Sequence, residues 1–270
     1  DVEAAAVLCE VSEQLAVLGR GEEALDAARM AFRRGPQDAL VARAYRTAAM
    51  RAGAEAEVLA ALEGEARAVT HAPWRSVLET ERGLMLERDH PRAARFAYLS
   101  ALDGAIANVV ALEALERLCR REGELGLASG YAVKLAGVVT DASLRAEHLA
   151  RGAVYALDAG EAEEASALAA SARVDAPSSP FVGMSTERVF AGTGQWGELI
   201  ALREREIGAG WVGEAEGWYD VGVVACYRLG DADRARHAFE LAVEASSGAE
   251  ERAACHAHLL PLYEGAGLWT

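Results

Sequence analysis

Apolar residues recur along this chain at the three- and four-residue intervals of amphipathic helices. Short polar connectors interrupt them at nearly constant distances. Each connector is anchored by a turn-forming residue: Gly19, Gly53, Asp89, Gly123, Gly160, Gly194, Gly230 and Gly267, at spacings of 34, 36, 34, 37, 34, 36 and 37 residues. Such a connector stops one helix and starts the next almost antiparallel to it. Glycine in the left-handed conformation ends a helix there without steric cost. Asp89 is expected to take the same conformation, because aspartate visits that region more than most residues. His90-Pro91 follows it, and proline suits the first turn of the next helix.

Five residues after each anchor stands a small or aliphatic residue: Ala24, Val58, Ala94, Ala128, Ala165, Leu199 and Ala235. A small side chain at this place lets the second helix of a pair press against the first. Four and seven residues further on come Ala28 and Ala31, Tyr98 and Ala101, Ala132 and Leu135, Ala169 and Ala172, and Phe239 and Ala242. That spacing puts all three positions of a pair on one helical face, the predicted core face. Pro36 and Pro177 follow twelve residues after the small one and mark helix ends.

The pattern resembles the tetratricopeptide repeat family, whose unit is a helix–turn–helix of about 34 residues. The first repeat matches through Leu8, Leu15, Gly19, Ala24, Ala28, Ala31 and Pro36. The fifth matches through Leu149, Ala153, Ala156, Gly160, Ala165, Ala169, Ala172 and Pro177, and the seventh through Tyr219, Cys226, Gly230, Ala235, Phe239 and Ala242. The resemblance implies an all-α fold, a right-handed α-solenoid of about seven to eight such repeats. The first helix of each repeat would line a concave groove. One continuous array over 1–270 is expected, with repeats near 1–37, 38–73, 74–107, 108–142, 143–179, 180–212 and 213–248 and a partial one at 249–270.

Several stretches depart from the pattern. The second helix of the second repeat reads as running long, to about His71. The fourth repeat lacks a closing proline. The sixth carries Arg203 and Glu206 at places meant for apolar residues, and its first helix must fit between Pro180 and Gly192. Gly267-Leu268-Trp269-Thr270 breaks off where another second helix should begin, so a fragment of a longer solenoid is expected.

Composition narrows the reading. Hydrophobic residues make up 52% and aromatics 6%, alanine dominates the apolar set, and only Ile106, Ile200 and Ile207 are isoleucine, so a sheet-based fold is disfavoured. The formal net charge is −15, which makes a poor binder of nucleic-acid phosphates. Residues 1–135 hold 17 basic and 21 acidic side chains, net −4, and residues 136–270 hold 10 and 21, net −11. The second half should therefore attract basic partners, most strongly at low salt. Lys134 is the only lysine and Asn108 the only asparagine, a bias typical of GC-rich bacterial coding. No apolar run is long enough to span a membrane. Cys9, Cys119, Cys226 and Cys255 lie far apart and read as free thiols on helices.

Candidate chemistry is sparse. Gly192-Thr193-Gly194-Gln195-Trp196-Gly197 spells G-x-G-x-x-G, but a helical stretch precedes it instead of a strand, so it reads as a repeat turn. His256 and His258 are two apart and point in different directions on a helix, which disfavours a shared metal. No metal ligand set, cofactor or catalytic residue is assigned. Arg117, Arg120 and Arg121, with Glu113 one turn earlier, fall at offsets from Gly123 that the resemblance places in the groove. Arginines there could clamp a carboxylate or phosphate of a partner. The plain alternative pairs them with Glu113, Glu116, Glu122 and Glu124. Tyr227 and Asp220 are further candidate partner contacts. The lysine–asparagine clamp that some family members use for C-terminal carboxylates is absent.

The expected function is a non-catalytic scaffold or adaptor that binds a peptide or protein segment in its groove and helps assemble a complex. Self-association through the solenoid ends and a cytoplasmic location are expected with it. The alternative is a regulatory domain that senses a ligand or peptide and controls an attached output domain.

Overall fold

The computed structural model describes residues 2–268; Asp1, Trp269 and Thr270 lie outside them. Among the described residues all regular structure is helical, and the chain falls into two compact units, Asp1–Val139 and Thr140–Thr270.

The first unit holds four helix pairs: α1 (Val2–Val17) with α2 (Gly21–Arg34), α3 (Ala39–Ala52) with α4 (Glu55–Ala68), α5 (Ala72–Leu86) with α6 (Pro91–Gly104), and α7 (Val109–Glu122) with α8 (Leu125–Val138). The second holds α9 (Ala142–Asp158) with α10 (Ala162–Asp175), α11 (Pro180–Gly192) with α12 (Trp196–Gly208), and α13 (Glu214–Val224) with α14 (Ala232–Ala245), then α15 (Ala249–Gly265). A π-helical turn, Ala225–Leu229, prolongs α13. Within each unit, helices adjacent in sequence pack on one another.

Every anchor glycine, from Gly19 to Gly267, has a positive φ between 67° and 85°. Asp89 does not, which corrects the expectation for it: no residue other than glycine has a positive φ among the described residues. After α5 the chain continues through a right-handed turn at Glu87, and the His90 N–H closes onto the Leu86 carbonyl at 2.8 Å. That longer turn reverses the chain without a left-handed residue. A second correction concerns α4. It stops at Ala68, and His71 is the N-cap of α5, accepting from the Trp74 N–H through Nδ1 at 3.3 Å.

The first helices of most pairs start on a side-chain cap: Asp38, Asn108, Asp141 and Ser179 each accept a first-turn N–H. Each such cap stabilises a helix by roughly 1 kcal/mol. Asn108 also donates to Ser76 Oγ and Thr80 Oγ1, both at 2.8 Å, tying the start of α7 to α5.

The core is the alanine face read from the sequence. Ala28, Ala31, Ala94, Ala101, Ala128, Ala132, Ala165, Ala172, Ala235 and Ala242 are wholly inaccessible, and Ala24 nearly so. Methyl-sized side chains let the helices of a pair approach closely. Where an aromatic replaces alanine, the facing helix supplies glycine. Tyr98 lies over Gly83, and Phe239 over Gly222. The Tyr98 and Phe239 side chains are fully buried.

Candidate functional site

The space left between first helices of neighbouring pairs is the candidate site in each unit. In the first unit, α1 and α3 enclose a groove of about 560 Å³, lined by Cys9, Ser12, Glu13, Val17, Leu40, Arg43, Thr47 and Arg51 among others. Arg43, Thr47 and Arg51 lie four apart on α3 and so share one stripe. Leu40 and Arg43 also border a neighbouring cleft of about 320 Å³ between α3 and α5, with Glu65, His71 and Trp74.

At the base of that cleft sits Glu65, only 1% exposed. It accepts from Arg46 Nε at 2.8 Å and Trp74 Nε1 at 3.3 Å, and Arg43 Nε stands 3.7 Å away. The Arg43 guanidinium lies over the Trp74 ring at 5.4 Å. A buried carboxylate with several donors therefore fixes an aromatic ring and a half-exposed cation at the groove edge.

Arg117, Arg120, Arg121 and Glu113 all lie exposed on α7. Arg117 is held by Glu87: its Nε donates to Oε1 at 2.9 Å and its Nη2 to Oε2 at 2.6 Å. The Tyr98 hydroxyl donates to the same carboxylate at 2.9 Å. Arg117, and then Tyr98, hold Glu87 below the usual carboxylate range, while burial and the Glu87 contact push the Tyr98 phenol up. Arg121 reaches Glu87 at 4.0 Å, and Arg120 makes no ion pair among the described residues. The acids expected beside the cluster behave differently. Glu122 and Glu124 pair with Arg95, at 3.0 and 2.6 Å.

In the second unit, Asp220 borders a cleft of about 140 Å³ with Glu187, Arg203, Val221 and Val224. Arg203 bonds Glu187 at 2.5 Å and Glu206 at 3.1 Å, and stands 3.7 Å from Asp220. The two charged residues that break the sixth repeat's apolar pattern thus neutralise one another. Burial, partly opposed by Arg203, pushes the carboxyls of Glu187 and Asp220 up.

Tyr227 lies in the π-helical turn, its side chain exposed. Its hydroxyl meets His258 Nδ1 at 3.0 Å, and the Tyr219 hydroxyl meets His258 Nε2 at 3.0 Å. The His258 ring stacks on Phe239 at 4.8 Å. His258 is thus held on both ring nitrogens by α13 and its extension. A further groove of about 600 Å³ opens between α13 and α15, lined by Glu214, Glu216, Tyr219, Ser246, Glu251 and Cys255 among others.

The sequence reading reached Arg117, Arg120, Arg121, Glu113, Asp220 and Tyr227, but the structure distributes them. Arg120 and Glu113 stay open on α7, Arg117 is tied to Glu87 with Arg121 at the edge of the same pair, and Asp220 and Tyr227 belong to the second unit. Arg43, Trp74, Glu65, Glu214, Glu216 and Glu251 were missed. The signal for Arg43 was its stripe with Thr47 and Arg51, whereas nothing local marks Trp74 as its partner.

No family model and no curated relative matches the sequence. Solved structures that it resembles include a tetratricopeptide repeat protein from Parabacteroides merdae, at 15% identity over 95% of this chain and 98% of that one, with a TM-score of 0.41. Another is the C-terminal part of a TPR repeat-containing protein from Cytophaga hutchinsonii, at 12% identity over 90% and 97%, with a TM-score of 0.47. A third is a TPR protein of Thermus thermophilus, at 17% identity over 68% and 99%, with a TM-score of 0.34. The chain's own repeat carries the conclusion: positive-φ glycine anchors, a buried small residue five places later, and helices packed consecutively. Both units are built from helix pairs of the tetratricopeptide type.

Proposed function

We propose that this protein is a non-catalytic interaction scaffold that binds a peptide or segment of another protein along its first helices and helps assemble a complex. The observation that supports the reading is the pair of open grooves between first helices, at α1–α3 and α13–α15, each of several hundred cubic ångströms. Their linings mix small, apolar and charged side chains, the composition of a surface that receives a chain segment. Arg120, and Arg121 at the edge of the Glu87 pair, would offer guanidinium groups to an acidic part of the partner, with Arg117 and Glu113 beside them on α7; Asp220 and Tyr227 would be contacts in the second unit.

Val7 and Val11, four apart on α1 and both exposed, would favour self-association through that face. Net charge disfavours nucleic acid as a partner, and the reading places the protein in the cytoplasm. Among the described residues no helix is long and apolar enough to cross a membrane.

The test is cross-linking of the chain in native lysate, comparing wild type with Arg120→Glu/Arg121→Glu at two salt concentrations. Arg117 is left intact because its loss would also release Glu87. A protein cross-linked at α1, α3, α7 or α13 and lost from the variant supports the reading. Turnover of a small molecule that one polar substitution abolishes would defeat it.

A further inference from the structure

The α13–α15 groove differs from the α1–α3 groove in charge. Its lining includes Glu214, Glu216 and Glu251 and no basic residue. Glu214 and Glu216 are exposed and make no ion pair among the described residues, while Glu251 accepts from the Gly248 N–H at 3.3 Å. Arg252 stands nearby, but its guanidinium is turned onto the carbonyl oxygens of Ser246 and Ser247, at 2.9 and 3.4 Å. Asp220, one turn along α13 from Glu216, borders the separate cleft beside Arg203 and is not part of this lining.

The groove has a second, independent feature in its aromatic wall. Tyr219 is fixed by the His258 hydrogen bond and by edge contacts with Phe239 at 5.7 Å and His258 at 5.6 Å. Ala215, Ala254 and Cys255 keep the lining narrow-bodied, leaving about 600 Å³ free. Glu214 and Glu216 stand in the first turn of α13, after the N-cap Gly213, and so at the mouth of the groove. A fixed aromatic ring and exposed carboxylates without a basic partner together match one kind of guest, whose cationic groups meet the carboxylates and the ring.

We propose that the α13–α15 groove binds an extended segment of a partner protein that presents arginine or lysine between small residues. This rests on the scaffold reading and names the partner's chemistry at one of its grooves. Glu214 and Glu216 neutralise the basic side chains, and Tyr219 receives the flat face of a guanidinium. An acidic segment is repelled, since the half of the chain over 136–270 carries net −11.

The experiment is fluorescence anisotropy with a short labelled peptide of alternating alanine and arginine, on the full chain, beside an alanine–glutamate peptide of equal length. Wild type should bind the arginine peptide and not the glutamate one. Glu214→Gln/Glu216→Gln should weaken it about tenfold, the scale set by two partly screened charge pairs. Glu163→Gln/Glu164→Gln, at the exposed start of α10, removes the same charge elsewhere and should change affinity less than twofold. Tyr219→Leu should also weaken binding, with helicity checked by circular dichroism. Equal loss in the two charge variants would show attraction to net charge alone and overturn the proposal, as would no binding by wild type. If the peptide fails while cross-links at α1, α3 or α7 persist, this inference falls and the scaffold reading stands. If both fail, both fall.

Discussion

Arg117 grips Glu87 from thirty residues away, and Arg188 grips Asp158 across the same interval in the other unit, through Nη2 at 2.7 and 2.9 Å. In both, the arginine stands six residues before its anchor glycine, and the acid two residues before the previous anchor. The pairing thus recurs at two junctions at the same repeat offsets, each time joining the first helices of successive pairs. It reassigns Arg117 from a free partner contact to a junction clip.

Arg117→Ala should destabilise the first unit by about 1–2 kcal/mol, since Glu87 keeps only the Tyr98 hydroxyl as a close donor. Urea unfolding at pH 7 measures it. The folded carboxyl of Glu87 titrates lower than the unfolded one, so this stability is present above the unfolded value and lost as pH falls through the folded value. The gap between wild type and variant should begin to narrow as pH falls below the ordinary glutamate value, about 4.3, and close once pH is below the folded value. A gap independent of pH would contradict the clip.

Glu79 presents the opposite sign. It is buried on α5, one carboxylate oxygen has no hydrogen-bond partner, and burial pushes its carboxyl up. A raised carboxyl favours the folded state when protonated and opposes it when ionised, so wild type should gain stability as pH falls through the folded value. Glu79→Gln should raise the melting temperature at pH 7 by about 2 °C and flatten that pH dependence. A lower melting temperature for the variant at pH 7 would show that Arg82, 3.3 Å away, compensates the charge fully.

Two helical glycines should respond in opposite directions to alanine. A Cβ on Gly222 would stand 2.7 Å from the Phe239 ring, which is wholly enclosed, whereas one on Gly130 meets nothing within 4 Å. Gly222→Ala should cost about 2 kcal/mol by overpacking. Gly130→Ala should gain roughly 0.5–1 kcal/mol from helix propensity. Shifted denaturation midpoints at constant slope would confirm both.

The anchors offer a further contrast. Gly123→Ala forces a left-handed alanine at φ 77° and should cost roughly 1–2 kcal/mol. Asp89→Gly should give no gain, because Asp89 is not left-handed, and thermal unfolding of the two variants tests this.

Much of the architecture was legible from the sequence because it is local and periodic. A glycine anchor with a small residue five places on specifies where helices turn and which face meets the neighbour, so Ala24, Ala94, Ala128, Ala165 and Ala235 were identifiable as core without coordinates. The repeat offsets also nominated Arg117, Arg120, Arg121 and Glu113. What they could not supply was the partner of each charge. Glu87 takes Arg117 across thirty residues, Trp74 reaches Glu65 and Arg43 from a different helix, and Arg203 neutralises Glu187 and Glu206 inside a pattern that looked broken. Those contacts depend on how helices pack within and between pairs, and side chains apart in sequence meet only then. The same stacking leaves Glu214 and Glu216 open beside Tyr219 while committing Arg117 to Glu87. Helix periodicity alone therefore determined the fold, and the packing of one repeat on the next decided which charged groups remain free to bind.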